Sequence, residues 1–199
     1  MLNADKDFIE PELIAESDED ALTRIYECYR DRVYGFAYRM LGTQTIAEEI
    51  TQEAFLVLIK RLESYEPTKG SMLTFLCAIA RNHILMYFRS RGDALEDAFD
   101  ELNFIPANKE CGLNPLSSLL EQELAAKVND SILMLPALQR EAIILREFQE
   151  MTYEEISVVT GVDVNVVKAR LYRARQSLAR RLAPYVGVKG EGCYELRRS

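Results

Sequence analysis

The chain has little of what a membrane-inserted, exported or metal-dependent protein would show. None of its 199 residues fall in a continuous apolar run of about 18, the minimum for a membrane-spanning helix, and no membrane insertion is expected. The first twenty residues, MLNADKDFIEPELIAESDED, are acidic where a secretory signal needs a basic and then an apolar segment, which points to the cytoplasm. Cys28, Cys77, Cys111 and Cys193 form no CxxC pair, and His83 is the only histidine. Free thiols and no metal site are therefore expected. Glycine is sparse and nowhere clustered into a phosphate loop, and no nucleophile has a base beside it. An enzyme reading therefore has little to stand on, no cofactor is implied, and His83, mid-helix, reads as packed. Strand-like alternation is absent throughout, so the chain reads as all-α.

What is present is charge, unevenly placed. The formal net charge is -8, yet residues 1–20 and 92–123 contain half of the 32 acids. The remainder is close to neutral with basic clusters, so the net charge conceals a nucleic-acid surface rather than excluding one. The strongest cluster is NVVKARLYRARQSLARRL at 165–182, which holds Lys168, Arg170, Arg173, Arg175, Arg180 and Arg181 and no acid.

Periodicity and punctuation divide the chain. After Ser17, Leu22, Ile25, Tyr26, Tyr29, Val33, Phe36, Ala37 and Met40 recur at three and four residues up to Gly42, the signature of one helix face. Thr45 with Glu48 suggests a capping box opening a second helix through Ile50, Ala54, Val57, Leu58 and Leu62. The run SYEPTKGS then breaks the pattern, and a third helix from about Met72 to Arg91 turns Leu73, Leu76, Ala80 and Ile84 inward. Its segment AIARNHILMYFRSRG sets Arg81, Asn82, Arg89 and Arg91 among Tyr87 and Phe88. Cations among aromatics suit a partly unstacked strand, although Phe88 fits a core position better. Residues 92–116 lose periodicity and carry Pro106, Pro115 and Gly112, as a linker does.

The second cluster contains PALQREAIILREF, with Pro136 suited to a first helical turn. Thr152 and Glu155 form a second capping-box pattern that starts TYEEISVVT. Gly161, Val162 and Asp163 then lead into the long basic helix, which is a helix-turn-helix arrangement. Packing across the turn through Ile156, Val162, Val167, Leu171, Ala174 and Leu178 leaves Lys168, Ala169, Tyr172, Arg173 and Gln176 facing outward. Major-groove entry needs such a face, with cations for phosphates and guanine edges and flat apolar surface for thymine methyls.

In order, AEEITQEAFLVLIKRLESYEP (47–67), FLCAIARNHILMYFRSR (75–91), the acidic linker, LPALQREAIILREFQEMTYEEISVVTGV (135–162) and VVKARLYRARQSL (166–178) resemble the extracytoplasmic-function group of bacterial sigma factors. The resemblance spans roughly residues 17–183. It implies two small helical domains: a region 2-like domain at 17–91 and a region 4-like helix-turn-helix domain at 117–183. An acidic segment at 1–16, the linker 92–116 and a tail at 184–199 complete the chain. The implied partners are core RNA polymerase, promoter DNA and an inhibitory anti-sigma factor. By the same resemblance Glu49, Gln52 and Glu53 would dock on polymerase. Ser64, Tyr65, Lys69, Arg81, Asn82 and Arg89 would handle the minus-ten element, and Asn165, Lys168, Ala169, Tyr172 and Arg173 the minus-thirty-five element. The chain departs from many relatives at Asp163, Val164, Asn165, Val166 and Ala169, positions that bear on which promoter is read rather than on the fold. The glycine-containing tail reads as disordered, a regulator contact or a docking strand. A helix-turn-helix regulator acting apart from polymerase is the alternative; it would call for a sensory or phosphoacceptor domain, usually with strands.

Overall fold

A computed structural model describes residues 19–92 and 119–186, which are helical with no strand among them. The segment 1–16, linker residues 93–116, Cys111, Cys193 and the tail beyond Val186 lie outside the described residues. Helix α1 (Glu19–Leu41) buries Ile25, Tyr29, Val33, Phe36, Ala37 and Met40 along the expected stripe. Tyr26 departs from it. It is 40% exposed and meets Phe55 edge-on, with ring centroids 4.9 Å apart.

Gly42 ends α1 in the left-handed region at φ 70 and donates its N–H to the Tyr38 carbonyl at 2.7 Å, satisfying one of the orphan carbonyls of the helix end. This tight turn corrects an expectation. One extended residue, Thr43, is enough to re-enter a helix, so α2 (Gln44–Arg61) already includes Thr45, and no capping box forms from Thr45 and Glu48. Glu48 accepts instead from the Gln44 amide at 2.9 Å. Two short 3-10 turns, Leu62–Ser64 and Pro67–Lys69, lead to α3 (Met72–Ser90), which Ser71 caps by accepting from the Thr74 N–H at 3.2 Å. Phe88 is buried, as its core reading requires.

The second half begins with α4 (Leu119–Leu133) and α5 (Ala137–Glu147). Pro136 stands one position earlier than expected, as the N-cap of α5, and its carbonyl accepts from the Gln139 and Arg140 N–H groups. Helix α6 (Tyr153–Thr160) carries the full Thr152–Glu155 capping box, and α7 (Val164–Val186) runs past 183 through Pro184.

The two halves close on one another. Helix α1 packs against α4 and α5, α3 packs against α6, and buried apolar residues of both halves form one continuous cluster. Each large apolar side chain removed from water there contributes roughly 1.5–3 kcal/mol. Polar groups also bridge the halves. Arg32 donates to the Gln149 carbonyl at 2.9 Å while the Gln149 amide donates to the Arg32 carbonyl at 3.0 Å. The Arg39 guanidinium lies 4.2 Å from the Phe148 ring centroid. Arg140, buried at the start of α5, donates to the carbonyls of Met40, Leu133 and Leu135.

Candidate nucleic-acid interface

The α6–α7 turn is built to present one face of α7. Gly161, at φ 68, donates its N–H to the Ser157 carbonyl at 2.8 Å, and Ser157 donates to the Val162 carbonyl at 2.6 Å. Asp163 then caps α7. Its carboxylate accepts from the Asn165 N–H at 2.8 Å and its carbonyl from the Val167 N–H at 3.1 Å. Ile156, Val167, Leu171 and Ala174 are buried, with Val162 and Leu178 packed against them.

With that face occupied, Asn165, Lys168, Tyr172 and Gln176 are exposed, and Ala169 and Arg173 are half-buried at its margin. Tyr172 is 59% exposed, and its hydroxyl accepts from the Gln176 amide at 2.7 Å. Lys168 sits with its ammonium 5.7 Å from the Tyr153 ring centroid. The basic run does not act as a unit. Arg170 is buried, and Arg175 donates to Glu147 at 2.8 Å, a hydrogen bond that raises its already high pKa. Only part of the charge read from the sequence is therefore presented on the exposed face of α7.

The candidate minus-ten residues fall into two groups. Ser64, Tyr65 and Lys69 occupy the 3-10 connection between α2 and α3. Ser64 is exposed, with its hydroxyl donating to the Arg61 carbonyl at 2.6 Å. Tyr65 leans on Phe75 with centroids 5.6 Å apart and donates to the Gly70 carbonyl at 3.3 Å, so that burial raises its pKa. Lys69 is exposed and pairs with Glu66 at 2.7 Å, a surface contact of small energy. On α3, Asn82 and Arg89 are exposed along one edge with Met86, which is 63% exposed. Arg81 points elsewhere. Its Nε donates at 2.5 Å to Glu141 of α5, whose side chain is 1% exposed.

On α2, Glu49, Gln52 and Glu53 are exposed, as their three-and-four spacing requires, while Ile50 and Ala54 are buried. Sequence reasoning passed over their apolar neighbours. Leu56 and Ile59 are 47% and 53% exposed and extend the same edge of the helix by one turn. The available signal was register: Leu56 follows Gln52 by four residues and Glu53 by three. Among the described residues no group of His, Cys, Asp and Glu is placed to hold a metal, and no helix is long and apolar enough to cross a membrane.

Comparison with known proteins covers both halves. Residues 25–93 match the family Sigma-70 region 2 and residues 126–178 match Sigma-70, region 4. The chain is 30% identical to the ECF RNA polymerase sigma factor SigE of Mycolicibacterium smegmatis, over 91% of this chain and 73% of that protein. It is 29% identical to the ECF RNA polymerase sigma factor SigW of Bacillus subtilis, over 85% of this chain and 92% of that one. A solved structure of the sigma factor RpoE in complex with the anti-sigma factor NepR, from Bartonella quintana, shares the fold. Its TM-score is 0.61 at 24% identity, covering 81% of this chain and 96% of that one.

Proposed function

Because the chain belongs to the extracytoplasmic-function group of RNA polymerase sigma factors, we propose a division of its surfaces among polymerase, the two promoter elements and an inhibitor. The chain is a promoter-specific initiation factor that works as a subunit of RNA polymerase, and a free-standing helix-turn-helix regulator is not the favoured reading. In the proposed division, Glu49, Gln52 and Glu53, joined by Leu56 and Ile59, dock on core polymerase. Ser64, Tyr65, Lys69, Arg81, Asn82 and Arg89 handle the minus-ten strand, where cations and aromatics replace the stacking and counterions of the melted duplex. Asn165, Lys168, Ala169, Tyr172 and Arg173 read the minus-thirty-five duplex. The protein acts in the cytoplasm and performs no covalent chemistry of its own. An anti-sigma factor is proposed as its inhibitor, since the neighbour of like fold is held by one.

The observation that carries this reading is the outward face of α7, where Lys168 and Tyr172 are exposed immediately after a capped turn whose inner side is fully packed. Nothing in the core requires that face to be basic and aromatic. The test is binding of reconstituted holoenzyme to a promoter panel at two salt concentrations. Arg173→Ala is expected to cost about 1–3 kcal/mol and relax preference at one minus-thirty-five position, as loss of a base contact does. Lys168→Ala should weaken every promoter similarly and flatten the salt dependence, as loss of a phosphate contact does. Wild-type affinity in both folded variants would remove α7 from promoter recognition.

A further inference from the structure

Among the residues assigned above to the minus-ten strand, Arg81 is held by an ion pair to the other half of the molecule. Its guanidinium donates to Glu141, and the two side chains are 15% and 1% exposed. They are 60 residues apart in sequence and lie on α3 and α5, on opposite sides of the junction between the halves. A buried ion pair is a poor source of net stability, because desolvating both charges offsets most of their attraction. Its best-attested use is to fix one arrangement, or to serve as a switch between two. The surrounding ties have the same character. Thr74, one turn-pair earlier on the Arg81 stripe of α3, reaches Glu155 of the α6 capping box at 3.5 Å. The Arg32–Gln149 exchange and the Arg39–Phe148 contact lie on the α1 side. These polar and charged ties accompany the apolar cluster that the two halves share, and contacts of such mixed character between units of one chain commonly open.

We propose that Glu141 is an internal substitute for nucleic-acid phosphate: it holds Arg81, and with it the two halves, closed in the polymerase-free chain, and surrenders Arg81 when the halves part. The inference rests on the reading of Arg81 as a minus-ten residue. Chemically, the guanidinium donates from Nε to a carboxylate oxygen in one state and to a phosphate oxygen in the other, two anions that it recognises with the same planar donors. The closed arrangement leaves Glu49, Gln52, Glu53, Lys168 and Tyr172 exposed. Polymerase can therefore engage the closed chain, while the Arg81 contact waits for opening.

The experiment measures the distance between spin labels at Glu27→Cys on α1 and Val158→Cys on α6, both exposed, with Cys28, Cys111 and Cys193 replaced by Ser and far-UV circular dichroism as the fold control. The free chain should give one short, narrow distribution, which core polymerase lengthens. Arg81→Ala leaves Glu141 buried without its partner and should raise the open-to-closed ratio of the free chain by about a hundredfold or more, enough for a long-distance population to show. Arg81→Lys, which keeps the charge but loses the planar fork, should raise it less. A short, narrow distribution unchanged in both variants would overturn the proposal. Holoenzyme binding to a melted minus-ten strand tests the underlying reading separately. If Arg81→Ala opens the chain but leaves strand binding intact, the latch stands and the DNA role of Arg81 falls.

Discussion

Cys77 shows how a single group reports on the fold. It is fully buried on α3 between Thr74 and Arg81, and burial pushes its thiol from 9.0 up to about 12, against a small opposing pull from Arg32. The thiolate is thus disfavoured in the folded chain relative to the unfolded one. The folded state retains a proton that the unfolded state releases above pH 9, so this contribution to stability is intact below pH 9 and lost as pH rises toward 12. A shift of this size corresponds to roughly 4 kcal/mol over the full window and about 2 kcal/mol by pH 10.5. Tyrosines and lysines titrate in the same range, so the readout is a difference. The urea midpoint of the wild type should fall more steeply between pH 8 and pH 10.5 than that of Cys77→Ala. Parallel slopes would mean that the thiol is not held in an apolar site. Arg81 makes the complementary point. Asn82, the next residue, and Arg89, about two turns on, are exposed, yet the Arg81 side chain is turned inward by one position of helical rotation from Asn82.

At the scale of the element, helix faces and turns were legible in the sequence because they depend on near neighbours. The stripes of α1 and α3, the Thr152–Glu155 box and the left-handed Gly161 all follow from spacing and local backbone sterics. Two things were not legible. Whether Thr43 or Thr45 opens α2 depends on how tightly Gly42 turns the chain, and that is a property of the junction rather than of either helix. The burial of Arg140 and Glu141 at the start of α5 runs against their ordinary preference for water, and it is explained by partners that no local pattern shows: the carbonyls of Met40, Leu133 and Leu135 for Arg140 and the Arg81 guanidinium for Glu141. Leu56 and Ile59 were a different case: register placed them on the Gln52–Glu53 edge, but their apolar character read as core. On α2 the consequence is testable. Glu53 is exposed, so Glu53→Lys should change stability by no more than about 0.5 kcal/mol. It nevertheless reverses a charge at the centre of the proposed docking edge. Association with core polymerase should weaken while helix content stays constant, and unchanged association would move the docking site away from this edge.

For the whole molecule, the question is how tightly the halves hold one another. Minus-ten and minus-thirty-five elements lie about 25 base pairs apart, roughly 80 Å along the duplex, and halves joined through the Arg81–Glu141 contact cannot bridge that span. Residues 93–118 extended would reach on the order of 90 Å, enough for both elements to be engaged at once. A chain that must open this far when it binds cannot favour its closed form by more than its partners return. The tether makes a modest preference sufficient, since a covalent connection of this length keeps its two ends at an effective concentration near millimolar. An interface with a micromolar dissociation constant between separate halves would thus keep the intact chain almost entirely closed. Limited proteolysis provides the measurement, because the proline, glycine and acids of 92–116 make it the expected first site of cleavage. The nicked chain should elute as one species at about 100 μM and as two fragments, each retaining its helical signal, at about 0.1 μM. Arg81→Ala should move that transition to higher concentration. Fragments that stay together at the lowest concentration, or a segment 92–116 as protected as Ile143 and its helix, would make this chain a single rigid body and leave its opening on a promoter without a mechanism.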